Sequence, residues 1–254
     1  MLPRPRKRFG QHFLTDRHYL ERIVAAIAPA RGDSMVEIGP GTGLLTAELV
    51  PALSHLHVVE IDRDLAAGLR NRFPPSQVTV HEADALEFDF ASLPAPLRVA
   101  GNLPYNVSTP ILFRMAALAG RLVDCTFLLQ KEVVDRMAAR PGTADYGRLS
   151  VMLQYRFAIA PLLAVPPGAF TPPPKVDSAV VRMSPLGPGR VVARDEARFA
   201  AVVSAAFSQR RKTLRNAARA LLAPGAYEAT GIDPGRRGET LSVAEFIALS
   251  DAAA

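Results

Sequence analysis

Cysteine is nearly absent: Cys125 is the single one in 254 residues. That excludes an internal disulfide and every Cys-cluster zinc site. Cys125 lies in the apolar run RLVDCTFLLQ, which points to core packing and suits a reducing cytoplasmic compartment. No apolar run reaches membrane-spanning length, because proline, glycine or charge breaks the longest ones. The basic start MLPRPRKRFG is followed by no apolar stretch with a cleavage site, so no secretory signal is read there. Lysine is scarce too, at four of the 30 basic residues. The rest are arginine, whose planar fork suits phosphate, although a genome's base composition produces the same bias.

What is present supports a sizeable core: 49% of residues are hydrophobic, in a chain long enough for one large domain or one with a small companion. The net charge of +6 hints at a nucleic-acid partner, and its distribution decides the matter.

From about residue 18 to 183 the patterns alternate. HYLERIVAAIA, GLLTAELVPAL, DLAAGLRNRF, TPILFRMAALA and KEVVDRMAAR have helical spacing. SMVEIG, HLHVVEID, QVTVHEAD, PLRVAGN, RLVDCTFLLQ, LSVMLQYRFAI and SAVVRM read as strands. Such alternation predicts an α/β fold, an open and mostly parallel Rossmann-like sheet with helices on both faces. Ligands of such sheets bind beyond the carboxyl ends of the strands. SPLGPGR, residues 184–190, is a Pro/Gly linker, and the rest is helical. The expected domains are 1–184, carrying a basic N-terminal arm, and a small helical domain at 185–254.

VEIGPGTG places Gly39, Gly41 and Gly43 between a strand and a helix. Glycines there permit a tight turn and close approach of a ligand to the backbone. A dinucleotide fingerprint needs its third glycine at 44, where Leu44 stands, so the spacing fits S-adenosylmethionine (SAM) better. A structural turn is the competing reading. Glu60 ends the next strand, where an acid can accept from both ribose hydroxyls. Asp84 follows the strand after that, where an acid can accept from an adenine amino group. Either acid alone is an ordinary solvated strand end; the three features at one sheet edge define a site for an adenosine-bearing cofactor.

GNLPYNVS brings Asn102 to that same edge. An exocyclic base amine is a poor nucleophile, because its lone pair is conjugated with the ring. The Asn102 side-chain oxygen and the carbonyl of Leu103 or Pro104 can accept its two hydrogens and aim the lone pair at a methyl group. Pro104 fixes the loop, and Tyr105 can stack on the base. Positioning and dipoles carry such catalysis.

RFGQHFL, EIGPGTGLLT, VVEID, EADAL, GNLPYNVSTPIL and FTPPPKVDSAVV, in this order, resemble the ribosomal RNA adenine N6,N6-dimethyltransferases of the KsgA type. The resemblance spans almost the whole chain. It implies two methyl transfers to each of two adjacent adenines near the 3′ end of small-subunit (16S) rRNA, during subunit biogenesis. It implies SAM contacts at His12, Leu14, Gly39, Glu60, Asp84 and Asn102. Many relatives read Gln-Asn-Phe where this chain has Gln11-His12-Phe13, and a capping or packing histidine is the other reading of His12. Phe170 matches a family position that stacks on the target base opposite Tyr105; its alternative is a core side chain. Lys175 either touches phosphate or is simply solvated. The family precedent is a monomer in the cytoplasm. The other histidines, at 18, 55, 57 and 81, show no metal spacing, and none is expected to bind a metal.

RPRKR, residues 4–8, and FSQRRKTLRNAAR, residues 207–219, carry no acid. Arg211, Arg215 and Arg219 recur every four residues, one row on a helix, with Lys212 beside them. Such a row can track rRNA phosphates, though charge runs are also plain solvated faces. The rival functions are a large-subunit adenine methyltransferase of the macrolide-resistance type and a non-enzymatic RNA-binding assembly factor. PPPKVDSAVV and QRRKTLRN weigh against the first, and intact Asn102, Tyr105, Glu60 and Asp84 against the second.

Overall fold

A computed structural model describes residues 12–209 and 211–253. The RPRKR arm and Arg210 lie outside the described residues. The chain divides into two compact units. One runs to Val134 and resumes at Ile159–Pro185; the other comprises Asp135–Ala158 and Leu186 onward.

The first unit is built on a seven-stranded sheet of β2 (Ser34–Ile38), β3 (Leu56–Glu60), β4 (Val78–Glu82), β5 (Leu97–Asn102), β6 (Leu122–Gln130), β7 (Phe157–Val165) and β9 (Ser178–Pro185). Their order is β4-β3-β2-β5-β6-β9-β7. The pairs β4–β3, β3–β2, β2–β5 and β5–β6 are parallel, and β6–β9 is antiparallel. The chain moves outward from β2 to β4, then returns to lay β5 on β2's other side. The carboxyl ends of β2 and β5 therefore flank a topological switch point, where a crevice forms. Because β9 runs backward, its first residue, Ser178, lies at that same edge, opposite Gln130.

Local chemistry sets the helices. The Asp16 carboxylate accepts from His18 and Tyr19 N–H and starts α1 (Arg17–Ile27); Asp62 does the same for α3 (Arg63–Arg72) through Asp64 and Leu65. At the far end of α1, Arg98 donates to the Ile27 and Ala28 carbonyls and pairs with Asp33 and Asp124, which satisfies orphan helix carbonyls and a largely buried guanidinium together. A two-stranded ribbon of β1 (Phe13–Leu14) and β8 (Phe170–Thr171) ties residues 13–14 to the Pro-rich segment. The core joins Leu20, Ile23, Met35, Leu45, Val58 and Ala100, among others.

In the second unit, α6 (Arg148–Gln154), α7 (Glu196–Ser208), α8 (Leu214–Ala217), α9 (Pro224–Thr230) and α10 (Val243–Ala252) pack around Tyr146, Phe199, Leu241 and Phe246. Ser242 and Glu245 form a reciprocal capping box at the start of α10.

Three expectations change. LSVMLQYRFAI is not one strand: residues 148–154 form α6 and β7 begins at Phe157. Leu149, Val151 and Leu153 are all buried, and an apolar run buried on every side loses the periodicity that separates helix from strand. Gln154 Nε2 then donates to the Met137 and Ala139 carbonyls, anchoring α6 to the end of α5 (Lys131–Ala138). Residues 135–158 thus join the helical unit rather than the sheet unit, whereas the linker pattern alone suggested one break near 184. Finally, Arg211, Arg215 and Arg219 do not share a helix. Only Leu214–Ala217 is helical there, and the N–H groups of Leu214 and Arg215 are spent on the Arg236 and Pro234 carbonyls. Arg211, Lys212, Arg215 and Arg219 are nevertheless all exposed.

Candidate active site

At the switch point an open cavity of about 150 Å³ lies under the glycine loop. Gly39, Gly41 and Gly43 all have positive φ, at 67°, 58° and 76°, a region that favours glycine. A Cβ at Gly41 would stand 3.1 Å from the Phe13 ring, and one at Gly43 would stand 2.7 Å from Leu69. Gly39 and Gly41 line the cavity; Gly43 does not, and serves instead as the cap residue of α2 (Leu44–Leu49). Gly101 was not singled out in the sequence. A Cβ there would meet the Ile38 carbonyl oxygen at 2.3 Å, so it is what lets β2 and β5 approach beside the cavity.

Three carboxyls line the cavity, Glu37, Glu60 and Asp84, and among the described residues no Lys or Arg does. Glu60 is only 4% exposed. One of its oxygens accepts from Gly41 N–H at 3.0 Å and the other from Asp62 N–H at 2.9 Å. It therefore braces the glycine loop and keeps one lone pair on each oxygen for a ligand. Burial pushes its carboxyl above the usual range, and these N–H groups pull it part of the way back. Asp84 accepts from Leu86 N–H at 2.8 Å in a side-chain turn. Ile61, 48% exposed, offers an apolar wall next to Glu60.

Glu37 is a further acid the sequence reading passed over. It is 1% exposed and accepts from the Thr46 hydroxyl at 2.6 Å. Burial pushes its carboxyl up to about 7, against the Thr46 bond and helped by the charge of Glu60. A charged residue inside the apolar run SMVEIG was the signal that could have marked it. In the same register row, across Ala100, stands Thr126, 2% exposed with its hydroxyl unpartnered among the described residues, and it also lines the cavity.

Asn102 ends β5. Its Nδ2 donates to the His12 carbonyl at 2.9 Å, which fixes the amide plane and leaves Oδ1 as the free acceptor. His12 Nδ1 lies 2.8 Å from the Pro172 carbonyl, and the His12 ring stacks on Tyr105 with centroids 5.6 Å apart. The Tyr105 hydroxyl is 2.7 Å from Ser178 Oγ, and partial burial raises its affinity for its proton. His12, Leu14, Asn102, Leu103, Pro104 and Tyr105 all line the cavity. Phe170 does not. It is 3% exposed, opposite Leu14 in the β1–β8 ribbon, and packs in the core. Pairing with β1 places it among the buried side chains of the sheet unit. Lys175 is exposed.

Among the described residues no group of three or more His, Cys, Asp or Glu side chains is set to hold a metal, and no helix is long and apolar enough to cross a membrane. The cavity's chemistry suits SAM. Acids without cations favour a ligand bearing a sulfonium and an ammonium over one bearing phosphates. Glu60, Ile61 and Asp84 line the cavity together, two acids beside an apolar side chain.

The model of the family described as Ribosomal RNA adenine dimethylase matches residues 3–254. The chain belongs to this family. It is 60% identical over 248 residues to the ribosomal RNA small subunit methyltransferase A of Aromatoleum aromaticum, covering 98% of this chain and 94% of that one. Among solved structures, a dimethyladenosine transferase from Plasmodium falciparum superposes with a TM-score of 0.82 at 24% identity, over 94% of this chain and 96% of that one. The 23S rRNA methyltransferase ErmE superposes with a TM-score of 0.72 at 25% identity, over 94% and 98%. These matches agree with the Rossmann-like methyltransferase sheet and helical second part read from the sequence.

Proposed function

We infer that this protein dimethylates the N6 amino groups of adenines in small-subunit (16S) rRNA, using SAM, as part of small-subunit biogenesis. The finer reading is that the targets are two adjacent adenines near the 3′ end, and that the protein works as a cytoplasmic monomer. The observation that carries the chemistry is the Asn102 amide at the cavity lining, whose nitrogen is engaged by the His12 carbonyl so that its oxygen is left to accept.

When bound, SAM supplies an electrophilic methyl group. Glu60 would hold its ribose and Asp84 its adenine amino group, while Gly39 and Gly41 allow backbone contact; His12 and Leu14 close the cavity from the ribbon side. Asn102 Oδ1 accepts one hydrogen of the target amine. The Pro104 carbonyl already accepts from Val107 N–H at 3.2 Å, which makes the Leu103 carbonyl the better second acceptor. Two acceptors draw the nitrogen toward tetrahedral geometry and free its lone pair, and the surplus proton of the methylated amine leaves to solvent. Tyr105 offers a stacking face. Arg211, Lys212, Arg215 and Arg219, exposed on the helical unit, and Lys175 on the sheet unit, suit RNA phosphates.

The 60% identity to a small-subunit enzyme, against 25% to a large-subunit one, supports the small-subunit substrate over the macrolide-resistance type. Incubating unmodified small and large subunits with labelled SAM, then identifying the modified base by mass, tests this. Dimethyladenine confined to small subunits is expected; label confined to large subunits refutes the reading. Asn102→Ala is expected to lose about 3 kcal/mol of transition-state stabilisation, roughly a hundredfold in rate, while still binding SAM.

A further inference from the structure

We propose that His12 is a positioning residue for the target base, acting through Tyr105: its imidazole backs one face of the tyrosine ring and holds the other face as a fixed platform. This rests on the adenine reading above. A tyrosine on a short loop has two side-chain torsions to order before it can present a flat surface, and the structure pins both ends of this one. The hydroxyl meets Ser178 Oγ at 2.7 Å, and Ser178 is wholly buried at the start of β9. The ring lies against His12, with centroids 5.6 Å apart and planes at 26°.

The imidazole is itself held. A carbonyl can only accept, so His12 Nδ1, 2.8 Å from the Pro172 oxygen, carries the proton. His12 therefore contributes twice: its carbonyl orients Asn102, and its ring orients Tyr105. Any substitution keeps the carbonyl, but only a planar side chain keeps the stack, so the two contributions can be separated. Tyr105 is half-buried and lines the cavity, and among the described residues no second ring stacks on it; its other face is the one proposed to take the base. Phe170, the expected opposing ring, is in the core. A base resting on one platform depends more on that platform's rigidity than a base held between two.

The test is methylation of unmethylated small subunits with labelled SAM, read as kcat and KM, with SAM affinity by calorimetry and a thermal melt on every variant. His12→Ala is expected to lower kcat about tenfold through misplacement of the base, while KM for subunits and Kd for SAM move less than threefold. His12→Phe, which restores a planar ring without the Nδ1 donor, is expected to recover most of kcat. Ser178→Ala, which removes the other pin, is expected to show the same kcat-type loss. In a Tyr105→Leu background, measured under single turnover, neither change should add more than twofold. An unchanged kcat in His12→Ala overturns the proposal. So does an equal loss in the Tyr105→Leu background, or a Kd for SAM that rises as far as kcat/KM falls, which would make His12 a cofactor contact. Should His12→Ala not fold, the Ser178→Ala and His12→Phe results decide by the same criteria. Wild-type protein inactive on small subunits refutes the functional reading, and this inference with it.

Discussion

Replacing Glu37 by Gln tests how deeply the cavity floor is desolvated. The carboxyl is 1% exposed, and among the described residues only the Thr46 hydroxyl donates to it. Burial raises it from the ordinary 4.5 to about 7. Below pH 4.5 it is protonated in the folded and unfolded chain alike and costs nothing. Between there and about 7 the unfolded chain ionises while the folded one holds its proton, so the folded state binds more protons and stability falls as pH rises. Above that both forms are ionised and the loss levels off. Some two and a half pH units at 1.36 kcal/mol each come to about 3 kcal/mol. Gln keeps the acceptor for Thr46 but cannot ionise. Its buried amide hydrogens add a cost of about 1–3 kcal/mol that does not depend on pH. The diagnostic quantity is therefore how the stability difference changes with pH, measured by urea unfolding of cofactor-free protein. The variant is expected to gain on the wild type by roughly 2–3 kcal/mol between about pH 5 and pH 8. A difference that stays flat across that range would mean Glu37 ionises like a solvent-exposed acid, and the desolvated floor would be wrong.

Gly101→Ala is expected to cost about 3 kcal/mol or more, or to abolish folding, because the added carbon meets backbone 2.3 Å away; a melt within a degree of wild type would refute the close approach. Phe170→Leu is expected to lower stability by about 1 kcal/mol, as a core substitution does, with methylation falling only as far as stability does. A large rate loss in a variant with an unchanged melting temperature would return Phe170 to the substrate. Changing Arg211, Lys212, Arg215 and Arg219 together to Gln is expected to weaken subunit binding and flatten its salt dependence, by somewhat less than one unit of log–log slope for each phosphate contact removed. SAM affinity should not move, and an unchanged slope would make the segment a solvated face.

The strand–helix alternation, the glycine loop, and Glu60, Asp84 and Asn102 at the strand-end edge were all legible in the sequence. Each is a local pattern, and a parallel sheet necessarily gathers the carboxyl ends of its strands at one edge, so neighbours at that edge follow from order along the chain. Other features depend on what packs across long separations. Phe170 turned inward because β1 pairs with β8, more than 150 residues away in sequence. The run at 148–154 became a helix because both of its faces are covered, which erases periodicity. The arginine spacing of four described a helix whose backbone donors were spent on the turn at Pro234 and Arg236 instead. Gly101 is required by the carbonyl of Ile38, burial raises the Glu37 carboxyl, and the His12 held by Pro172 and Asn102 meets Tyr105. Local chemistry names the groups that can react; tertiary packing decides which of them water reaches and which way they face.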